Sequence, residues 1–293
     1  MKRLLISLAG ISILMFACNL PSLPTQSPAA PTLGETPTIE STNSLETTNN
    51  PEITSTPEAT GTQMATETTA PVANITCNEL SFHLDPVLTS IKNCETIPAS
   101  TEGIEIYPQY TKVTLQGYTP SEHFFAPQIS VFPVQQYLTL LPDFIPGQVS
   151  DLETLIGGGT AGDSLPFLPL FNAAQLFHAQ NQAIPFISGG GIRYLTLYAQ
   201  YFAPINNHDL FYTYQGLTSD GNYWVSAILP VTHPILPANG DTIPGGMSLD
   251  EFTNNYGTYL ADMVNQLNSQ TGDSYTPHLT VLDALVSSIK IQP

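Results

Sequence analysis

Phe211-Tyr212-Thr213-Tyr214-Gln215-Gly216-Leu217 and Tyr223-Trp224-Val225-Ser226-Ala227-Ile228-Leu229 stand on either side of Asp220-Gly221. Both runs are rich in aromatic and β-branched residues, which suit a pleated, half-buried surface. An Asp-Gly pair between two such runs predicts a β-hairpin, because the central positions of a tight hairpin turn favour φ > 0. Alternation then places Tyr212 and Tyr214 on one face and Phe211 and Thr213 on the other. Across the turn, Trp224 and Ser226 alternate with Tyr223 and Val225 in the same way.

Working outward, Ile192-Arg193-Tyr194-Leu195-Thr196-Leu197-Tyr198 reads as a further strand, and Gly189-Gly190-Gly191 separates it from residues 176–186. These runs and the hairpin predict a four-stranded antiparallel meander. Residues 79–84, 110–117 and 127–132 predict three more strands. A loop-rich middle, punctuated by Pro142, Pro146, Pro166 and Pro169, holds one short helix expected to start at Ser150, with Glu153 completing a capping box. Ser248-Leu249-Asp250-Glu251 is a second capping box. Behind it Phe252, Tyr256, Tyr259, Leu260, Met263, Val264 and Leu267 recur at helical spacing, with Gly272 as the stop. Thr276-Pro277 opens a last helix, and Ile289-Lys290-Ile291 predicts a closing strand. Strands early and helices late imply an α+β fold: an antiparallel sheet of about six to seven strands with helices packed on it.

The N-terminal part has another character. Met1-Lys2-Arg3 precedes an apolar run from Leu4 to Ala17, followed by Cys18. A basic start and a short apolar run form the layout of a secretory signal, and the run is too short for a membrane-spanning helix. The cysteine after Ala17 resembles a bacterial lipoprotein signal, in which the thiol is lipidated and becomes the new N-terminus; Met15 and Phe16 depart from the usual residues there. The same stretch also fits an ordinary secreted protein cut near Ala17, or a signal anchor left uncut. Residues 1–17 are thus expected to be a signal peptide and Cys18 a lipid attachment point.

Of the 54 residues from 19 to 72, 14 are Thr, 8 Pro and 5 Ser, none is aromatic, and six Glu face no Lys or Arg. A segment with so little apolar surface cannot offset its ordering entropy, so residues 18–72 are expected to form a disordered linker. Residues 73–293 remain for a single α+β domain, long enough for a sizeable core.

That domain has 18 Asp and Glu against Lys92, Lys112, Arg193 and Lys290, a formal charge of −14. Such a field repels phosphate backbones, so no nucleic-acid partner is expected. Cys77 and Cys94 form an even pair, which in an oxidising compartment reads as a disulfide. The expected location is extracytoplasmic, at the cell surface or the periplasmic face, with the membrane engaged through the N-terminal lipid.

Ile129-Ser130-Val131-Phe132-Pro133-Val134, residues 210–225 and Leu282-Asp283-Ala284-Leu285-Val286-Ser287-Ser288-Ile289 together resemble an uncharacterised domain of lipid-anchored proteins in environmental bacteria. The resemblance covers nearly all of residues 77–293 and brings no known activity. A final helix running into a short strand is also similar, in element order, to the PsbP/Mog1-like α-β-α sandwich. That likeness implies a fold and no function.

Motifs for catalysis and cofactors are missing: no G-x-S-x-G elbow, H-E-x-x-H, P-loop or EF-hand loop occurs, and no cofactor is expected. The histidines are His83, His123, His178, His208, His233 and His278. Glu122-His123 and His208-Asp209 each pair an imidazole with a carboxylate, but neither has a third ligand nearby in sequence, so no metal site is predicted. Aromatic residues crowd from Tyr194 to Trp224. If one face of the hairpin is only partly covered, Tyr212, Tyr214 and Trp224 are candidates to stack on a sugar or a protein partner. Arg193, the domain's single arginine, pairs with a carboxylate by default and otherwise anchors an anionic ligand group. The expected function is therefore non-catalytic binding of a cell-surface ligand or protein partner. The competing expectation is an envelope hydrolase whose Ser, His and carboxylate converge only in three dimensions.

Overall fold

A computed structural model describes residues 72–292 apart from 104, 161 and 163. The signal-like run, Cys18 and the Thr/Pro/Ser-rich stretch up to residue 71 lie outside the described residues.

In chain order the elements are β1 (Ile75–Cys77), β2 (Leu80–Phe82), β3 (Ile91–Ile97), β4 (Tyr110–Gln116), β5 (Gln128–Pro133), α1 (Val134–Leu140) and α2 (Ile145–Ile156). Next come β6 (Ala174–Gln175), β7 (Ala179–Phe186), β8 (Gly189–Thr196), β9 (Tyr198–Ala199), β10 (Phe211–Thr218) and β11 (Tyr223–Pro230). The chain closes with α3 (Leu249–Asn254), α4 (Tyr256–Asn268), α5 (Leu279–Ser287) and β12 (Lys290–Ile291). The fold is α+β. Seven strands form one sheet in the order β3-β4-β5-β11-β10-β8-β7. Every neighbouring pair in it is antiparallel. Two meanders, β3-β4-β5 and β7-β8-β10-β11, thus meet along the β5–β11 ladder. The predicted strand at residues 79–84 lies instead in a separate sheet, β1-β2-β12, paired with the last strand of the chain.

The decisive hairpin forms, with Tyr212 opposite Leu229 and Tyr214 opposite Ala227. Its turn is longer than a two-residue Asp-Gly loop. Thr218 ends β10 and Tyr223 begins β11, and of the intervening residues only Gly221 takes a positive φ, +70°. Asp220 shapes the loop by accepting hydrogen bonds from the Thr218 hydroxyl and the Asn222 N–H.

Helices cover both faces of the sheet, and this explains why all of β10 is buried. One face presents Tyr212, Tyr214, Val225, Ala227 and Leu229 to a core shared with α4, α5 and the small sheet. The opposite face presents Phe211, Leu217, Trp224 and Ile228 to α1 and α2. In the β8–β10 ladder, Gly191 faces Gly216. A Cβ at Gly191 would meet the Gln215 carbonyl oxygen at 2.4 Å and Tyr214 Cζ at 2.6 Å, so the backbones approach closely beneath the Tyr214 ring.

Two helix predictions change. The middle helix starts at Ile145 with Pro146 in its first turn, where a missing N–H costs nothing, and Ser150 lies inside the helix. The Ser248 cap forms, its hydroxyl accepting the Glu251 N–H at 3.2 Å. The long helix behind it breaks at Asn255, whose side chain donates to the Glu251 carbonyl and competes with the regular ladder. A disulfide joins Cys77 in β1 to Cys94 in β3, with Cα atoms 5.8 Å apart, and ties the small sheet to the edge of the large one.

Candidate functional site

The hairpin aromatics do not form an exposed platform. Tyr212 and Tyr214 are 0 % exposed and Trp224 1 %, and Trp224 lies on the opposite face of the sheet from the two tyrosines. Each polar tip has a protein partner. Tyr214 donates to the Ile184 carbonyl at 2.9 Å, and Tyr212 to Asp283 Oδ1 at 3.1 Å. The Trp224 indole donates at 2.7 Å to Gln215, which also bonds Thr213 and Ser226. The reason is the second helical layer: with α1 and α2 on one face and α4 and α5 on the other, no face of β10 is left uncovered.

Arg193 follows its default. Its Nε lies 3.3 Å from Asp283 Oδ1, and its guanidinium donates to the Gln180 carbonyl and, at 2.8 Å, to Gln182 Oε1. Burial raises the Asp283 carboxyl above its usual range, while Arg193 and Tyr212 pull it back down. Arg193, Asp283 and Tyr212 therefore pin α5 to β8 and β10 rather than await a ligand.

The exposed aromatics are elsewhere and share one place. Among the described residues the most exposed Phe, Tyr and Trp side chains are Phe124 (66 %), Tyr201 (64 %) and Phe202 (51 %). All three rim a groove beside the β6–β9 ribbon, made of two adjoining clefts of about 390 and 660 Å³ that share Phe171, Asn172, Ala173, Ala199, Gln200 and Tyr201. Ala173, Ala174 and Ala199 add small side chains to the lining, and Ala174 pairs with Ala199 across the ribbon.

The walls are anchored in the core. Phe125 stacks on Phe171 with centroids 4.9 Å apart and meets buried Phe211 at 4.8 Å. Phe171 in turn packs against Tyr198 at 5.3 Å. The loop carrying Tyr201 and Phe202 is held by α4: Tyr256 donates to the Ala203 carbonyl at 2.8 Å, and Tyr259 accepts the Ile205 N–H at 2.8 Å. The loop carrying Phe124 is tied down by its own N–H, which donates to the His208 carbonyl at 3.0 Å. Asn206 orders that neighbouring turn by accepting from the His208 and Asp209 N–H groups.

No family model, curated protein or solved structure matches the chain. What the groove can hold therefore follows from its own chemistry. Its polar side chains are Asn172, Gln200 and Asp209, together with the tyrosines Tyr198, Tyr201 and Tyr256; none of Lys92, Lys112, Arg193 and Lys290 lines either cleft.

Two histidine pairs that are distant in sequence meet at this end of the molecule. His123 and His208 lie nearly parallel, centroids 6.2 Å apart, and His208 Nδ1 is 2.6 Å from Asp209 Oδ1. Both ring nitrogens of His123 are buried, and the nearby Leu210 and Asn207 backbones give them no hydrogen bond of good geometry. Desolvation, reinforced by His208, lowers its pKa to about 4. Among the described residues no group of three or more His, Cys, Asp and Glu side chains is placed to hold a metal ion.

Among the described residues one imidazole meets a serine hydroxyl, His233 Nε2 and Ser274 at 2.9 Å. The Ile235 N–H donates to His233 Nδ1, so the ring proton sits on Nε2 and points at Ser274. An imidazole in that tautomer donates to the hydroxyl and cannot take its proton. Ser274 meanwhile donates to the Thr271 carbonyl at 2.7 Å. The pair braces a turn.

The residues of the groove were only partly visible in the sequence. Tyr198, Tyr201 and Phe202 belong to the aromatic crowd noted above, whereas Phe124, Phe125 and Phe171 do not. The available signal was the doublet Phe124-Phe125 in a polar loop between Pro120 and Pro127, and a second doublet, Tyr201-Phe202, just before Pro204. A loop needs no aromatic pair for its own fold.

Proposed function

We propose that the protein is an envelope receptor or accessory protein, held to a membrane by a lipid on Cys18, whose α+β domain binds a ligand in the aromatic groove without transforming it. One observation carries the binding half: the three most exposed Phe, Tyr and Trp side chains among the described residues converge on one trough whose lining includes three alanines. Exposed apolar patches on a soluble surface mark interaction sites. The anchored inner walls reduce the ordering cost of binding, since the trough stands ready without its ligand.

The address rests on the basic start, the apolar run ending at Cys18 and the tether-like composition that follows. The Cys77–Cys94 disulfide is compatible with an oxidising, extracytoplasmic setting. Among the described residues no helix is long and apolar enough to cross a membrane.

Co-sedimentation tests the binding half. The full chain in detergent is mixed with the insoluble envelope material that remains after detergent extraction of the cells that make it. The wild type is expected to pellet with this material, and a Phe124→Ala, Tyr201→Ala, Phe202→Ala variant to stay in solution with an unchanged Tm. Equal pelleting of the two proteins overturns the assignment of the groove.

A further inference from the structure

We infer that the occupant of the groove is a neutral glycan chain; this rests on the groove being the binding site. Three observations narrow the chemistry. The first is shape. Each cleft falls in the range of ligand sites, roughly 300–1,000 Å³. Phe124 lines one cleft and Phe202 the other, with Tyr201 shared, so a ligand that meets all three rings occupies both clefts, as consecutive units of a linear chain would.

The second is charge. The lining holds Asp209 and no Lys or Arg, in a domain of formal charge −14. An anionic ligand, whether a uronate polymer, a teichoic acid or a nucleic acid, would enter a repulsive field with no cation to receive it. A cationic ligand would find Asp209 alone, whose two oxygens already meet His208 and Asn206, so the lining favours an uncharged ligand.

The third is the balance of donors and acceptors. Gln200 donates its Nε2 to the Asn172 carbonyl, which fixes the amide and leaves its Oε1 as an acceptor. Both Asp209 carboxylate oxygens already have a protein partner, Oδ1 the His208 ring at 2.6 Å and Oδ2 the Asn206 amide at 2.9 Å, so only their remaining lone pairs are left to accept, while the exposed Asn172 amide both donates and accepts. Sugar hydroxyls donate and accept, so they satisfy such a set. A proline-rich peptide is the other ligand that aromatic grooves commonly take, but its backbone offers carbonyls and few N–H groups, and the acceptors of the lining would be desolvated without partners. The C–H face of a pyranose carries the slight positive polarisation that the negative face of an aromatic ring attracts. Phe124, Tyr201 and Phe202 would thus act as stacking platforms along the chain, and Asn172, Gln200 and Asp209 would read its hydroxyls.

The test uses the full chain in detergent and a calorimetric titration with hexasaccharides: cellohexaose, xylohexaose, mannohexaose, maltohexaose and chitohexaose, with hexagalacturonate as the anionic member. At least one neutral hexamer is expected to bind with a Kd below about 1 mM. Tyr201→Ala with Phe202→Ala should weaken that binding by about tenfold or more, as loss of a stacking anchor does, with Tm unchanged. Failure of every neutral hexamer to bind, equal binding by hexagalacturonate, or binding untouched by the two substitutions overturns the inference.

Treated envelope material separates this failure from failure of the groove itself. Periodate, which cleaves vicinal diols, should abolish groove-dependent pelleting where the ligand is a hexose or pentose polymer. Chitinase or lysozyme should abolish it where the ligand is a 1,4-linked 2-acetamido glycan, which lacks such diols; protease treatment should do neither. If pelleting depends on Phe124, Tyr201 and Phe202 but is lost to protease and survives periodate, the groove stands and its ligand is a peptide. If no pelleting depends on those three residues, the groove reading itself falls.

Discussion

Replacing Cys77 by Ala and Cys94 by Ser should lower the stability of the domain by about 3 kcal/mol. The disulfide closes the loop from residue 77 to residue 94, a separation of 17, and the loop-entropy relation gives that value for such a ring. Cys77 is 2 % exposed and sits in the core, so Ala there avoids burying a hydroxyl; Cys94 is exposed and tolerates Ser. Among the described residues no strand ladder joins the small sheet to the large one, so the cross-link is the covalent tie between β1 and β3. For a domain of this size about 1 kcal/mol corresponds to 2–4 °C, so the double variant should melt about 6–12 °C below the wild type. Calorimetry of the full chain, with and without a mild thiol reductant, reads the effect. Reduction should bring the wild type down to the variant, because Cys94 is accessible. Melting of oxidised wild type and variant within about 2 °C of each other would refute the cross-link as a stabilising element. Two free thiols in protein isolated from its native location would refute the oxidising compartment.

Gly191→Ala should cost about 1–3 kcal/mol, since its Cβ would collide with the backbone of β10 and with the Tyr214 ring; a lowered urea midpoint at unchanged m-value is the expected readout. Gly221→Val should cost about 1–3 kcal/mol through its positive φ alone, as no atom lies within 4 Å of a Cβ there. His123 binds its proton less readily folded than unfolded, with a pKa near 4 against the usual 6.5. The unfolded chain therefore takes up the proton first, and the contribution of this group to stability is lost as pH falls from about 6.5 to about 4. The pH dependence of Tm over that interval should flatten in His123→Gln, and an unaltered profile would contradict the burial argument. At the N-terminus, Cys18→Ser should release the protein from detergent-extractable membranes and abolish labelling by radioactive palmitate; a wild type that takes no label would remove the anchor from the account.

The fold was legible where local chemistry decides it. The hairpin and the meander around it followed from β-branched and aromatic alternation, and the Ser248 cap from a local side-chain-to-backbone bond. Non-local pairing was less legible. Residues 80–82 read as a strand, but only the return of Lys290–Ile291 from the far end of the chain draws them into a second sheet. Strand β3 was missed because Ile91-Lys92-Asn93-Cys94-Glu95-Thr96-Ile97 lies at the edge of the sheet, with polar residues at most of its positions. The candidate site failed for a related reason. A strand of alternating Tyr, Thr and Phe looks the same whether one or both of its faces are covered, and α1, which covers one of them with α2, was not predicted. The groove is assembled from loops around residues 124, 172, 201 and 209, which no periodicity brings together.

The most direct test of the groove is hydroxyl-radical footprinting of the full chain, with and without the envelope material it pellets with. The account predicts that oxidation of Phe124, Tyr201 and Phe202 falls on binding, while buried Tyr212, Tyr214 and Trp224 stay unreactive in both states. Protection confined to other surfaces, with those three rings oxidised equally in both states, would contradict it.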